Sequence, residues 1–593
     1  MASALLDRPT TPPAAERRSS WSPSPALGRA ELGLVALAGV ILAVVTSWPL
    51  VLHLPSRIAP DLGDPVRTAW EIAWVGHAML HQPLHLFDSN AFYPHPLSLA
   101  FSDSLLGYGP AGFFGSGTVA ALVRYNLLFL FAWSLCFVGA YLLARELGLG
   151  RVGAGAAGAA FAYAPYRVTE AGHLHVISSG GIPLALFLLA RGYRRSSRAL
   201  VLAGWLVSAW QVSLGFTLGL QYCYLLAVLA LLALVYWWRA GRPAPPRRLL
   251  AVTCIGIAVL GVVAVYQARP YLRVAHDYPT ARRTIKEVKN YSAGPVALLA
   301  ASSENRVWGS VTSGMRERVH SKNESIFFPG GLILVLALIG LAAPLYTRRL
   351  RIGLAVGIVV CSILALGFGL TGAGYPYRLL YDFAPGWDGV RVPGRVFTLA
   401  TLFYALLAGA GAQLLAQLAG AWGRRRSLGA LSALAGAALV IGLVGEGAGH
   451  LSHPVVPQPA RAEIGLPGPI IDLPTDGASD RVWQYFSTDG FPKIADGNST
   501  FDFPAEDDLR GGMAGFPDRA SIEKLRYYGI RTAVLHLALP RLPGLHGYET
   551  AEPPSPRAAA AKPIAGLGVT RRRVGSVVIY EIGPGPKALH ASD

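Results

Sequence analysis

Eleven apolar runs punctuated by arginine clusters constrain this chain more than any other feature. They are Leu32 to His53, Tyr125 to Ala144, Val152 to Tyr163, Val176 to Ala190, Ala199 to Val212, Leu214 to Trp238, Leu249 to Tyr266, Phe327 to Leu345, Ile352 to Leu370, Val396 to Leu418 and Leu428 to Gly445. A helix crosses a bilayer with about 20 apolar residues. The runs therefore predict an α-helical polytopic membrane protein with about 11 transmembrane helices. The third, fourth and fifth runs are short and have to borrow flanking residues, tilt or break. With 52% hydrophobic and 15% charged residues over 593 positions, the chain lies outside soluble globular composition. Its formal net charge of +18 does not point to nucleic acid, because the arginines fall between apolar runs instead of on one face or in one tail.

Those arginines set the orientation. Arg17, Arg18 and Arg29 precede the first run, Arg191, Arg194, Arg195 and Arg198 follow the fourth, and Arg239, Arg242, Arg247 and Arg248 follow the sixth. Arg348, Arg349 and Arg351 follow the eighth, and Arg424, Arg425 and Arg426 the tenth. If the spans alternate, all of these connections share one side, and the positive-inside rule makes that side cytoplasmic. The expectation is a multi-pass protein of the inner (plasma) membrane, amino terminus inside and carboxyl terminus outside. Residues 1–30 read as a disordered cytoplasmic tail, residues 31–449 as the membrane domain, and residues 450–593 as a small extracytoplasmic α/β domain. In that last part DRVWQYFST, IRTAVLHLAL and SVVIYEI read as strands and RASIEKLRYYG as a helix ending at Gly529. The four cysteines all lie in apolar runs and read as small buried hydrophobes.

Two long connections fall outside: a first outer loop over residues 54–124 and a second over 267–325. In the first, Val66, Ala69, Trp70, Ala73, Trp74 and Ala78 recur at the spacing of one helical face. Its two tryptophans suggest a helix in the interface plane. Asp64, just before Pro65, suits an N-cap, but its place outside the membrane also suits catalysis. Asp61 has no capping explanation. Either acid could deprotonate an acceptor hydroxyl, and Asp61, Asp64 and Asp103 together could hold a divalent cation such as Mg or Mn. Asp103 precedes a second short helix starting near Leu105, which it could cap. His95 is held between two prolines and is a candidate binding residue.

Further along, APYRVTEAGHLHVISSGG brings Glu170, His173 and His175 to the outer ends of the third and fourth runs. Two histidines two residues apart point to different faces of a helix, so at most one joins Glu170 in a site. The second loop opens with ARRTIKEVK, a basic amphipathic helix over Ala281 to Lys289, and its SSENRVWG and RERVHSKNESIFFPGG segments add Arg306 and Glu324 as candidate binding residues. Arg391 and Arg395 in GVRVPGRVF, with Arg282, Arg283, Lys286, Arg316, Arg318 and Lys322, stand where the topology rule disfavours positive charge. Such groups bind phosphate well, whether on a substrate or on membrane lipids.

GDPxxxxWxxxW, LFxxxxFYPHPxxLAFSDxLLG, GHLHVxSxxxxPLALxxLxR and RVPGRVF, taken with the outer tail, resemble a family of bacterial integral-membrane proteins taken to be glycosyltransferases of the GT-C superfamily. The resemblance runs from Leu32 to about Ile582. It implies a GT-C-like helical domain and transfer of a sugar from a polyprenyl-phosphate-linked donor to a glycan, lipid or protein acceptor on the outer face. It also implies a catalytic base in the first outer loop, where Asp61 and Asp64 occupy the matching place. This chain has Asp103-Ser104 where the family often has Glu followed by His. Two other readings of the same runs are a transporter or flippase of a lipid-linked substrate and a non-catalytic cell-envelope assembly protein. The scarcity of ionisable residues at mid-span weighs against the transporter.

Overall fold

The structure is a computed structural model that describes residues 25–242, 246–320, 324–425, 430–501, 503–538 and 555–583. Most of the predicted amino-terminal tail, and Lys322, lie outside those residues. Each apolar run carries a helix: α1 (Arg29–Thr46), α3 (Gly117–Glu146), α4 (Arg151–Ala162), α5 (Gly181–Arg194), α6 (Arg198–Val212), α7 (Phe216–Arg239), α8 (Arg247–Asp277), α9 (Gly331–Ala342), α10 (Arg348–Ala365), α11 (Phe397–Arg425) and α12 (Leu431–Glu446). The first outer loop contributes α2 (Asp64–His81). Among the described residues, six helices are long and apolar enough to cross a membrane, and α6, α9 and α12 are shorter apolar helices. The chain is a multi-pass membrane protein. The short fourth run breaks, as its length requires: a turn of helix at Leu174–Ile177 precedes α5.

Close packing in a bilayer depends on small side chains, since lipid tails give little hydrophobic drive for one helix to leave them for another. The α9–α11 crossing shows this at two glycines. A Cβ at Gly340 would lie 1.9 Å from the Leu407 carbonyl oxygen, and one at Gly411 would lie 2.0 Å from that of Leu336. Backbone stands in the way at both positions, so Gly411→Val has to separate the helices. The expected cost is about 3 kcal/mol, read as a lowered thermal midpoint in detergent, whereas Gly353→Ala, with open space around it, leaves the midpoint unchanged.

Arginines at several helix ends gather around two glutamates. Glu31 of α1 accepts hydrogen bonds from Arg145 Nε and Tyr141 Oη, both at 2.8 Å, and from Arg151 Nε at 3.2 Å. Glu146 pairs with Arg191 at 2.7 Å and Arg194 at 3.2 Å. These ion pairs join α1, α3, α4 and α5 at one end of the bundle.

The carboxyl-terminal part folds around a four-stranded sheet of order β1-β2-β4-β3, with β1 (Ile470–Leu473), β2 (Thr532–His536), β3 (Val569–Val574) and β4 (Val577–Ile582). β1 and β2 are parallel and the other pairs antiparallel. The crossover between β1 and β2 carries α13 (Ser479–Phe486), α14 (Pro504–Gly512) and α15 (Arg519–Tyr527). The strands of IRTAVLHLAL and SVVIYEI and the helix of RASIEKLRYYG form as predicted, but DRVWQYFST does not. It forms α13, with Val482, Trp483 and Tyr485 buried and Arg481 aimed at the membrane domain. Three large apolar side chains in four residues fit a buried short helix as well as a buried strand, and length alone did not decide.

The carboxyl-terminal part is hydrogen-bonded along the first long loop. Ile494 N donates to Asn90 O at 2.8 Å, Phe92 N to Asp496 O at 3.3 Å, and Thr500 N to Phe101 O at 2.9 Å. One apolar cluster contains Trp70, Trp74, Phe92 and Phe101 together with Ile470, Ile494 and Val534. The tryptophans of α2 therefore do not face lipid. Trp70 and Trp74 are buried, and their indoles donate to Asn90 Oδ1 at 3.0 Å and Leu86 O at 3.1 Å. A protein roof takes the place of the headgroup layer in satisfying them. α8 also continues past its apolar run to Asp277, where Tyr271 donates to Ser102 O at 2.8 Å.

Candidate functional site

Under this roof α2 starts with Asp64-Pro65, a good opening because proline's missing N–H is not needed in the first turn. The N-cap is Gly63 and no side chain caps the helix, so Asp64 is free for other partners. Its Oδ1 lies 3.7 Å from Arg481 Nε of α13; its Oδ2 lies 3.6 Å from Arg67 Nη2 and 3.7 Å from His173 Nε2. Burial would lift this carboxyl, but Arg67, Arg481 and His173 hold it far below the usual carboxylate range.

Asp103 does not cap the short helix that follows it. One oxygen accepts Phe216 N–H at 3.1 Å, at the start of α7; the other lies 3.4 Å from His175 Nε2 and 3.7 Å from Arg395 Nη1. The orphan amides at a helix start favour a carboxylate, and here a distant helix supplies them. Burial opposes the charge on Asp103, but His175 and Arg395 outweigh it and lower its pKa.

His173 and His175 do not diverge. His173 is the N-cap of the Leu174–Ile177 turn, outside the helical region, and the ring centroids are 5.8 Å apart. The rule for spacing two fails because the chain is not helical through both residues. His173 Nδ1 lies 3.2 Å from Glu170 Oε2, and its Nε2 lies 3.4 Å from Glu324 Oε1. Arg395 Nη2 closes the chain at 3.7 Å from the same Glu324 oxygen. Burial would lower the His173 pKa, but Glu324 and Glu170 raise it to about 9, so the ring stays charged at neutral pH.

Asp61 stands beside this network. Its Oδ1 accepts Gly63 N–H at 2.7 Å, and burial raises its pKa against that bond. Glu170, His173 and Glu324 each offer one atom to a common point, the three atoms lying within 4.8 Å of one another. Both Glu170 oxygens and Glu324 Oε2 are buried without hydrogen bonds, as fits residues built to hold a divalent cation. The acids expected to share a cation, Asp61, Asp64 and Asp103, do not form such a group among the described residues.

Three other expected residues stay out of the network. His95 packs against Phe503, ring centroids 4.7 Å apart, with Tyr278 Oη at 3.4 Å from its Nδ1. Arg306 is exposed, its backbone N–H donating to Ala448 O at 2.9 Å. Arg391 donates to Thr500 O at 2.9 Å and stacks over Tyr291 at 4.9 Å. Arg283, whose helix starts only at Ile285, reaches the same Thr500 carbonyl at 2.8 Å.

The sequence reading missed Arg67, Glu71 and Arg481. Arg67 and Glu71 follow Asp64 at i+3 and i+7 and share its helical face, a signal that attention to the apolar face concealed. Arg67 also donates to Ser102 Oγ. Glu71, 1% exposed, has Arg67 Nε at 3.8 Å as its one ion partner among the described residues. Burial raises Glu71 to about 7 from 4.5, against Arg67 and with Asp103 and Asp64 adding to the rise. From pH 4.5 to about 7 the unfolded chain releases this proton while the folded protein keeps it, so stability falls through that window, by up to about 3 kcal/mol. Glu71→Gln is expected to flatten the thermal midpoint across those pH values.

No protein-family model matches the chain, and no curated protein matches it. Among solved structures the chain is similar to the oligosaccharyltransferase of Archaeoglobus fulgidus, at 15% identity and a TM-score of 0.42, over 85% of this chain and 69% of that one. It is also similar to ArnT from Cupriavidus metallidurans, at 14% identity and a TM-score of 0.34, over 94% of this chain and 99% of that one.

Proposed function

We propose that the chain is a GT-C-type membrane glycosyltransferase that moves a sugar from a polyprenyl-phosphate-linked donor to an acceptor on the outer face. One observation carries the reading. Asp64 of the first loop and Arg395 at the head of α11 converge on one network through His173 and Glu324, in steps of 3.7, 3.4 and 3.7 Å. A transferase of this kind needs acids for the acceptor and cations for the leaving phosphate in the same chamber, beside helices that face lipid. Exposed Val228, Leu231 and Leu232 on α7 and Ile255, Val262 and Val265 on α8 give such apolar flanks for a polyprenyl chain.

Asp61 is the general base in this reading. A raised pKa keeps it a competent proton acceptor, while Asp64, held so acidic, is better suited to fixing charge. Asp61 takes the acceptor hydroxyl proton as that oxygen bonds to the anomeric carbon. The carbon–oxygen bond to the lipid phosphate breaks with its electron pair, and Arg395 balances the phosphate charge. Glu170, His173 and Glu324 would hold a divalent cation, which would displace the proton from the His173 ring; bound there, it would neutralise phosphate. A single displacement inverts the anomeric centre. The anomeric configuration of the product, read by NMR against that of the donor, tests this: an inverted product is expected, and a retained one overturns the mechanism.

A further inference from the structure

A second set of metal-type ligands lies in the carboxyl-terminal part, separate from the chamber. Asp472 is the last residue but one of β1 and His536 ends the neighbouring parallel strand β2, so both stand near the carboxyl edge of the parallel pair, where open sheets place ligands. His536 Nε2 lies 2.8 Å from Asp472 Oδ1. Glu463, from the turn that precedes β1, completes a group whose three ligand atoms fall within 4.8 Å of one another. Asp472 and His536 are more than nine-tenths buried.

The surroundings hold these groups in place. Trp483 of α13 stacks on the His536 ring at 4.1 Å with 12° between the planes, and its own indole N–H donates to Pro474 O at 3.0 Å. Asp496 Oδ2 accepts Asp472 N–H at 2.8 Å, fixing the strand end that carries the carboxylate. Glu463 Oε1 accepts Ala460 N–H at 3.0 Å, which leaves its second oxygen to turn inward. Beside the trio opens a cleft of about 400 Å³, counted to its mouth and lined by Glu463, Asp472, Trp483 and Phe486.

We propose that Glu463, Asp472 and His536 bind a zinc-type divalent cation whose fourth position opens into this cleft. Zinc takes imidazole nitrogen and carboxylate oxygen alike, and three protein ligands leave a position for water or an oxygen donor. The Trp483 stack fixes the plane of the His536 ring. To hold one ion the Asp472–His536 hydrogen bond opens, the ion taking the place of its proton, and the Glu463 side chain turns toward it.

The test uses the full chain in detergent, stripped of metal and titrated with zinc by calorimetry and with cobalt by visible absorption. Wild type is expected to bind a tight equivalent, with the absorption of four-coordinate cobalt, that persists in Glu324→Gln, where the chamber group is broken. His536→Ala and Glu463→Gln are each expected to weaken that equivalent by tenfold or more. Glu463 sits on a loop, so its variant reports on the site without loosening the sheet. Unchanged zinc binding in both variants, absence of a tight equivalent in wild type, or loss only in Glu324→Gln would each overturn the proposal.

Discussion

Asp61→Asn is expected to reduce sugar transfer by about 10²- to 10⁴-fold, the usual worth of a positioned general base, while leaving stability within about 0.5 kcal/mol of wild type. The side chain makes one local hydrogen bond, to Gly63 N–H, which asparagine keeps through its carbonyl oxygen. The rate loss should appear in kcat with KM little changed, because the base acts only as the acceptor proton leaves. Asp64→Asn should behave differently. It removes a charge that faces Arg67, Arg481 and His173, so it should lower both transfer and stability. A variant pair in which Asp61→Asn retains full turnover and Asp64→Asn loses it without destabilisation would reverse the two roles.

The second large effect is on stability. Arg395 is buried and faces Asp103 and Glu324, both 3.7 Å away and themselves largely buried. Arg395→Met leaves two carboxylates without their shared cation, and removing one side of a buried ion pair costs about 3 to 5 kcal/mol. Adding Glu324→Gln to that variant should restore part of the loss, since it removes one of the stranded charges. A double variant no more stable than Arg395→Met alone would show that the two residues are not coupled. Arg391→Met, by contrast, gives up a carbonyl hydrogen bond and a stack on Tyr291, and should cost about 1 kcal/mol.

How much of this was readable in advance follows the physics of each signal. Apolar runs report helices directly, because a bilayer leaves the backbone few other ways to satisfy its hydrogen bonds, and every run does carry a helix. The period of the first loop located α2 to within a few residues. Glu170 and His173 were singled out at the ends of two apolar runs, Arg395 as positive charge where the topology rule disfavours it, and Glu324 in the polar second loop. Their convergence was not visible, since it depends on a break at His173 that lets both histidine rings face the same network. Arg481 was lost when DRVWQYFST was read as a strand, because a helix and a strand present that side chain in different directions. His95 and Arg391 were expected in the site from their local rigidity and charge; aromatic packing and the Thr500 carbonyl engage them instead.

The central claim is that the network from Asp64 to Arg395 performs transfer and does not serve passage. The most direct measurement places the purified protein in lipid vesicles with a polyprenyl-phosphate-linked sugar and a mixture of candidate acceptors, and follows both new glycosidic product and donor crossing the bilayer. Wild type is predicted to form product that Asp61→Asn fails to form. Donor crossing the bilayer with no glycosidic product, or equal product from wild type and from the Asp61 and Asp64 variants, would contradict the claim.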